Sequence, residues 1–248
     1  MIVLKAENIT KAYDGVKVIH NINMHLKKGE IVSLLGVSGV GKTTLFHILS
    51  GLFEPDEGRV MLNGEDITGK SGKISYMQQK DLLLPHKKII DNVSMPCVIK
   101  GMKKKEARKK VELLFRQFGL EGCEYKYPSQ LSGGMRQRAA FLRTYVSSNG
   151  VALLDEPFSA LDTLTKSSMH KWYLNMMDQI EMGTLFITHD IHEAIHLSDR
   201  IYVLGGKPGI IKGEICIEQE KPRKEEFEFS KEYAEYKRQI VDALTAQA

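Results

Sequence analysis

The sequence predicts an α/β fold: a mainly parallel sheet, an antiparallel β subdomain ahead of it, and an inserted helical subdomain. Three observations carry this. Solid apolar runs at residues 31–35 and 151–154, and in "GTLFITHD" and "DRIYVLGG", read as strands buried on both faces, with helical segments between them. Short extended pieces separated by turn residues precede the first of these runs. Helical periodicity then dominates from about residue 84 to residue 146.

Each element has its own signal. "IVLKAENITKAY" and "KVIHNINMHL" are extended, with Asp14-Gly15 and Lys28-Gly29 as turns. The run 31–35 passes directly into a glycine-rich loop, "GVSGVGKTT", and then into "KTTLFHILSGL", whose Leu45, Leu49 and Leu52 fall on helical spacing. "GRVMLNGEDI" holds an Asn-Gly pair between apolar residues, a hairpin signal. In "KKEARKKVELLFRQFGL", Val111, Leu114, Phe115 and Phe118 share one helical face. In "SQLSGGMRQR", Gly133 and Gly134 open a helix whose body begins at Arg136. "SKEYAEYKRQIVDALTAQA" reads as a terminal amphipathic helix. One domain, 1–248, is therefore expected: a nucleotide-binding core with its β subdomain over 1–83 and 147–217, a helical subdomain over 84–146, and a tail over 218–248.

Composition narrows the function classes. The 248 residues are 42% hydrophobic and 27% charged, ordinary for a globular chain. No apolar run approaches the roughly 20 residues that span a bilayer, and residues 1–7 lack a charged-then-apolar leader pattern. A cytoplasmic location is expected. Cys97, Cys123 and Cys216 form no C-x-x-C pair, so idle or buried thiols are expected rather than metal or redox chemistry. The net charge of +4 is concentrated in "KGMKKKEARKKVE". No aromatic residues interleave there to stack bases, so a solvated helix face is expected and no nucleic-acid partner.

The glycine-rich loop fits G-x-x-x-x-G-K-[ST] in its required setting, between a buried strand and a helix. Gly36, Ser38, Gly39, Gly41, Lys42, Thr43 and Thr44 make a phosphate cradle: backbone N–H groups point inward, Lys42 reaches the terminal phosphates, and the Thr43 hydroxyl suits Mg2+. "LLDEP" sets Asp155 and Glu156 at the end of a buried strand. Adjacent strand side chains point to opposite faces, so the two acids take different roles. Asp155 suits the magnesium shell and Glu156 suits a general base for the attacking water. "FITHD" places His189 at the same carboxyl edge of the sheet, where α/β sheets bind ligands, as a γ-phosphate contact. Ser132, Gly133 and Gly134 form a second anion cradle, with a hydroxyl, bare N–H groups and the positive end of a helix. The "DITG" at 66–69 matches D-x-x-G in letters, but it lies in the hairpin region and no N-K-x-D motif accompanies it, which weighs against a GTPase.

In this order the P-loop, "LSGGM", "LLDEP", "SALD" and "THD" resemble the ATP-binding cassette subunit of an ABC transporter over nearly the whole chain. The resemblance implies further roles. Gln79 in "YMQQ", rather than Gln78, is similar to the glutamine that senses Mg2+ and the attacking water. Tyr13 is similar to the aromatic that stacks on adenine, and residues 159–162 to a loop that crosses a dimer interface. Met135 departs from the usual glutamine after the glycines. The resemblance also implies ATP and Mg2+ as cofactors, and a second copy of the chain whose Ser132 cradle closes over the first copy's ATP. A transmembrane permease and, indirectly, a substrate-binding protein are implied as partners, with the chain peripheral on the inner face of the membrane. "LLLPHKKIIDNV" and "GGKPGIIKGEI" followed by "KPR" are similar to cassettes of the nitrate, sulfonate and taurine import group, which includes importers of thiamine precursors; His86 stands where many of these carry tryptophan. The rival readings are a soluble cassette ATPase acting on nucleic acid or ribosomes, an exporter's ATPase subunit, and a P-loop kinase. The first lacks room here for a second cassette or a long coiled coil. The importer-like tail and "PFSALD" argue against the second, and the third would not need "LSGGM".

Overall fold

A computed structural model describes residues 1–246. The chain opens with β1 (Ile2–Tyr13) and β2 (Val16–Lys27), an antiparallel hairpin across Asp14-Gly15, where both residues have positive φ. β3 (Ile31–Leu35) leads through the glycine-rich loop into α1 (Lys42–Leu49). β4 (Glu57–Leu62) pairs antiparallel with β1 and turns at Asn63-Gly64 into β5 (Glu65–Asp66). This gives a sheet of order β2-β1-β4-β5.

The second sheet collects strands scattered along the sequence. β6 (Ser75–Met77), β7 (Val151–Asp155), β8 (Gly183–Thr188), β9 (Arg200–Gly205) and β10 (Ile210–Cys216) join β3 in the order β10-β9-β3-β8-β7-β6. Every pairing is parallel except β9 with the edge strand β10. Alternation along the central strands explains the solid apolar runs. Val151 and Leu153 of β7, with Leu185 and Ile187 of β8, face a core shared with α1 and the first sheet. Ala152, Leu154 and Phe186 face the opposite core. Neither face is solvated, so apolar residues dominate both, and the few polar ones, such as Ser33 and Thr184, are buried.

The opposite core is filled by α2 (Ile89–Ile99), α3 (Lys104–Gln117), α4 (Gly133–Ser147) and α5 (Thr163–Gln179). Val111, Phe115 and Phe118 are buried, as their shared face requires. The lysine-rich face of α3 is solvated, and Arg108 pairs bidentately with Asp91 at 2.8 Å for both contacts. α6 (Ile191–Leu197) and α7 (Lys231–Thr245) flank a third, smaller cluster that includes Ile195, Ile201, Val203 and Ile240. The expected tail ran to residue 248, and residues 247–248 lie outside those described. Cys97 and Cys123 are buried and Cys216 is exposed, all three as free thiols.

Two expectations need correction. Leu52 does not continue the apolar face of α1: that helix ends at Leu49, and Leu52 is 51% exposed. α4 begins at Gly133 itself, three residues before Arg136, because Ser132 caps it by accepting from the Met135 N–H at 3.3 Å.

Two buried polar anchors hold the loops that flank the carboxyl edge of the second sheet. Asn92, fully buried, accepts from the Leu84 N–H at 2.7 Å and donates to the Leu84, Lys87 and Lys88 carbonyls at 3.2, 3.1 and 3.2 Å, fixing the 84–88 loop to α2. Glu193 of α6 accepts from the Thr188 hydroxyl at 2.6 Å and pairs with Lys166 at 2.6 Å, tying α6 and α5 to the end of β8. Burial alone raises the Glu193 pKa, but its contacts with His170, Lys166 and Thr188 outweigh burial and hold it down at about 2.

Asn92→Ala strands several buried backbone groups, so we expect a loss of about 3 kcal/mol in urea unfolding; a loss below about 1 kcal/mol would show that the loop is held by other contacts. The folded-state pKa of Glu193 lies below its unfolded value, so its contribution is complete above about pH 4.5 and is lost as pH falls toward about 2. That contribution amounts to about 3 kcal/mol. Unfolding midpoints measured across this window should fall less steeply in Glu193→Gln; an unchanged slope refutes the assignment.

Candidate functional site

The first cradle lies between β3 and α1. Gly36 is buried where a Cβ would stand 2.5 Å from the Leu204 carbonyl oxygen, and at Gly41, with φ +106°, a Cβ would collide with Ile19. Glycine is therefore required at both positions by the approach of β9 and β2. Gly41 caps α1 with no side-chain bond, and no acidic residue sits in the first turn. The first-turn N–H groups and the helix dipole are thus directed at an anion without a competing carboxylate. Lys42 is buried, its Nζ donating to the Gly36 and Val37 carbonyls at 2.7 and 3.0 Å. Burial lowers its pKa, and Glu156 and Asp155 act against that shift. Ser38, Gly39 and Thr43 are exposed and Thr44 is half-buried. Tyr13 ends β1 and is 42% exposed, with the Lys11 ammonium 5.8 Å from its ring centroid.

The carboxyl ends of β7 and β8 bring three of the predicted side chains into contact. Gln79 Nε2 donates to Glu156 Oε2 at 3.2 Å, and His189 Nδ1 lies 3.1 Å from Glu156 Oε1. Gln79 also donates to the Ser159 hydroxyl at 3.3 Å. Glu156 has φ +44°, a strained conformation for a residue with a side chain, and its N–H is anchored to the Ile187 carbonyl at 3.1 Å. The carboxylate is aimed by backbone that packing, not local preference, imposes.

Asp155, the last residue of β7, points elsewhere; Glu156 lies past the strand end in left-handed backbone, so the turn there, and not strand alternation, separates the two acids. The Tyr76 hydroxyl donates to Asp155 Oδ2 at 3.0 Å, and the second oxygen has no donor among the described residues. Burial raises the Asp155 pKa and the Tyr76 bond lowers it, with the upward effect prevailing. A half-buried carboxylate in this balance gains from a cation beside it. The Thr43 hydroxyl, an Asp155 oxygen and the Gln79 amide oxygen are all hard donors and few in number. That suits Mg2+, which keeps several waters and phosphate oxygens in its shell.

The second cradle is in a different place. A Cβ on Gly133 would meet Leu161 at 3.6 Å, and one on Gly134 would meet Thr165 at 3.1 Å and Met169 at 3.8 Å. The neighbours of Gly36 and Gly41 are Val18, Ile19, Val40 and Leu204. The two sets share no residue: the P-loop glycines pack against β2 and β9, and those of the second cradle against residues 161–169. Ser132 and Gly133 are exposed, and the first turn of α4 has no acidic residue. The Ser132 oxygen is used by the cap, but its hydroxyl hydrogen remains a donor. Met135 packs against the helical core. A cleft of about 710 Å³ joins this region to the acid end, lined by Gln79, Gly133, Arg136, Glu156, Leu161 and His189 among others.

Several residues of the site carry no motif and were not singled out in the sequence. Tyr76 lies on β6, a strand too short for a period-2 signal. Arg143 donates to the carbonyls of Asp81 and Leu82 at 2.6 and 2.8 Å, and Arg136 pairs with Asp81 at 3.3 Å, fastening the Gln79 loop to α4. Gln137, buried, donates to the Pro157 carbonyl next to the acid pair. Arg136 was legible only as the start of a helix body, and its partner was not.

The chain is similar to known proteins over most of its length. Residues 19–159 match the ABC transporter family model. The formylaminopyrimidine import ATP-binding protein ThiZ of Halalkalibacterium halodurans is 45% identical over 83% of this chain and 80% of its own length. The aliphatic sulfonates import ATP-binding protein SsuB of Bacillus cereus is 40% identical over 82% of this chain and 79% of its own. Among solved structures, the ATP-binding cassette MJ0796, a dimer in a post-hydrolysis state bound to ADP and Pi, superposes with a TM-score of 0.73 at 29% identity. That match covers 88% of this chain and all of the cassette. No helix among the described residues is long and apolar enough to cross a membrane. The chain belongs to the ABC transporter family and is one of its ATP-hydrolysing cassettes.

Proposed function

We propose that this cassette works as a homodimer that drives an importer for a small solute through a separate transmembrane permease. The observation that carries the dimer is the exposed, Ser132-capped start of α4, whose glycines lie against residues 161–169 while the P-loop glycines Gly36 and Gly41 lie against Leu204 and Ile19. A phosphate held by Lys42 would be sealed by Ser132, Gly133 and Gly134 of a second copy. Head-to-tail pairing across a twofold axis makes two equivalent sites.

Within each site Glu156 acts as general base on the attacking water. Gln79 and His189 hold its two carboxylate oxygens, so the base is oriented before substrate arrives. His189 then turns its imidazole to the γ-phosphate, Lys42 binds the terminal phosphates, and Tyr13 stacks on adenine. Thr43, Asp155 and Gln79 would hold Mg2+, which neutralises charge on the phosphate oxygens when bound.

The helical segment 84–146 carries the motion. Arg136 and Arg143 bind it to the Gln79 loop, so closure around ATP would shift this segment against the permease. The permease holds the chain peripherally at the inner face of the membrane, and a substrate-binding protein would deliver the solute. The likeness to ThiZ and SsuB supports a thiamine-precursor-like or sulfonate-like cargo, with nitrate or taurine as the alternatives that the sequence resemblance implies. The membrane subunit that co-purifies with the chain tests the importer reading, and a soluble nucleic-acid complex in its place would sink it.

Glu156→Gln should bind ATP normally, accumulate as a dimer on size exclusion, and lose about 100-fold or more in phosphate release. Wild-type turnover would remove Glu156 from the base role. Ser132→Arg should depress hydrolysis comparably while the monomer's ATP affinity stays unchanged in equilibrium dialysis; undiminished hydrolysis would exclude the second cradle from the site.

A further inference from the structure

A second group of functional side chains lies on the other flank of α6. His192 and His196 are four residues apart on this helix, so both imidazoles leave one face, with ring centroids 4.2 Å apart. The turn at Glu225–Phe229 brings Glu228 to them: its Oε1 lies 3.6 Å from His192 Nε2 and 3.3 Å from His196 Nε2. One donor atom from each of the three residues falls within 4.8 Å of the others. Zinc bonds of about 2.0–2.1 Å to nitrogen and oxygen put adjacent tetrahedral ligand atoms about 3.3 Å apart. The two spacings to Glu228, 3.3 and 3.6 Å, lie at and slightly above that value.

An ordinary ion pair does not account for the cluster. His196 Nε2 is buried and makes no hydrogen bond among the described residues, although the Glu228 oxygen is 3.3 Å away. The carboxylate therefore sits at ion-pair distance without lying along an N–H bond, and an unsatisfied buried nitrogen calls for a partner of another kind. His192 has the outer contact that metal-binding histidines usually have: its Nδ1 lies 3.2 Å from the Tyr233 hydroxyl. The hydroxyl can accept from Nδ1–H, the arrangement in which the Nε2 lone pair is free to bind a metal.

We propose that His192, His196 and Glu228 bind a divalent transition-metal ion of the Zn2+ type. Its fourth position opens to a cavity of about 610 Å³ that His170 and Asn175 also line. Two imidazoles and one carboxylate with an open position make a recognised zinc donor set. Arg223 borders the same cavity and donates to the Ile195 and His196 carbonyls, so its charge opposes the cation. The affinity is accordingly lower than that of a closed four-ligand site. The bound ion clips the 225–229 turn onto α6, whose cap Asp190 follows His189 directly. Occupancy would thus set how firmly the tail is tied to the helix that succeeds the γ-phosphate histidine. The metal site itself stands independently of the nucleotide reading.

Co2+ titration of the full, nucleotide-free chain tests this. One equivalent should bind with the intense visible absorption of a four-coordinate ion and be displaced by Zn2+. His192→Ala and Glu228→Gln, both at partly exposed side chains, should each weaken binding at least about tenfold with unchanged far-UV circular dichroism. His86→Ala, outside the cluster, should bind as the parent does. Equal affinity in the parent and both cluster variants overturns the proposal, as does saturating Co2+ that shows only the six-coordinate spectrum.

Discussion

A parallel sheet covered on both faces leaves its polar business to one edge. β3, β7 and β8 run in the same direction, and their interiors are closed to water by the α1 core on one side and the helical core on the other. Their carboxyl ends are where the backbone can release side chains into a shared space, and the phosphate loop, the acid pair and His189 all emerge there. Strand direction and burial thus decide where the chemistry is placed before any individual contact is counted. The left-handed backbone of Glu156 is the local cost of turning a carboxylate out of that edge toward Gln79 and His189.

The same edge is connected to the helical part by polar contacts rather than by apolar packing alone. Arg143 and Arg136 hold the loop after Gln79, Asn92 holds the next stretch to α2, and Gln137 reaches the carbonyl beside the acid pair. Hydrogen bonds of this kind have defined directions, so a shift in the loop is passed to α4 instead of being absorbed by a compliant apolar surface. On the opposite flank, Glu193 joins Thr188 to Lys166 and so stiffens the end of β8 just before His189. The tail then packs on the outer side of α6 through Tyr233, Tyr236 and Ile240.

Much of this was legible in the residues. The buried runs announced their strands because both faces exclude water, and the Asp14-Gly15 and Asn63-Gly64 turns announced their hairpins because both positions need positive φ. β6 and β10 were missed as strands. The first has three residues, too few for a period, and the second is an edge strand with mostly half-buried side chains. Leu52 shows the opposite failure, a helical spacing that continues past the end of its helix.

The sequence by itself determined the composition of both anion cradles, the order of the acid pair, and the apolar periods that force a covered sheet, since each depends on residues close together in the chain. Only the tertiary structure decided which distant residues meet. Gln79 reaches Glu156 across 77 positions, and Glu228 reaches His192 and His196 through a turn with no pattern of its own. Those meetings follow from strand order and from the packing of helices on the sheet, which depend on the burial of the whole chain and leave no local mark at the residues they join.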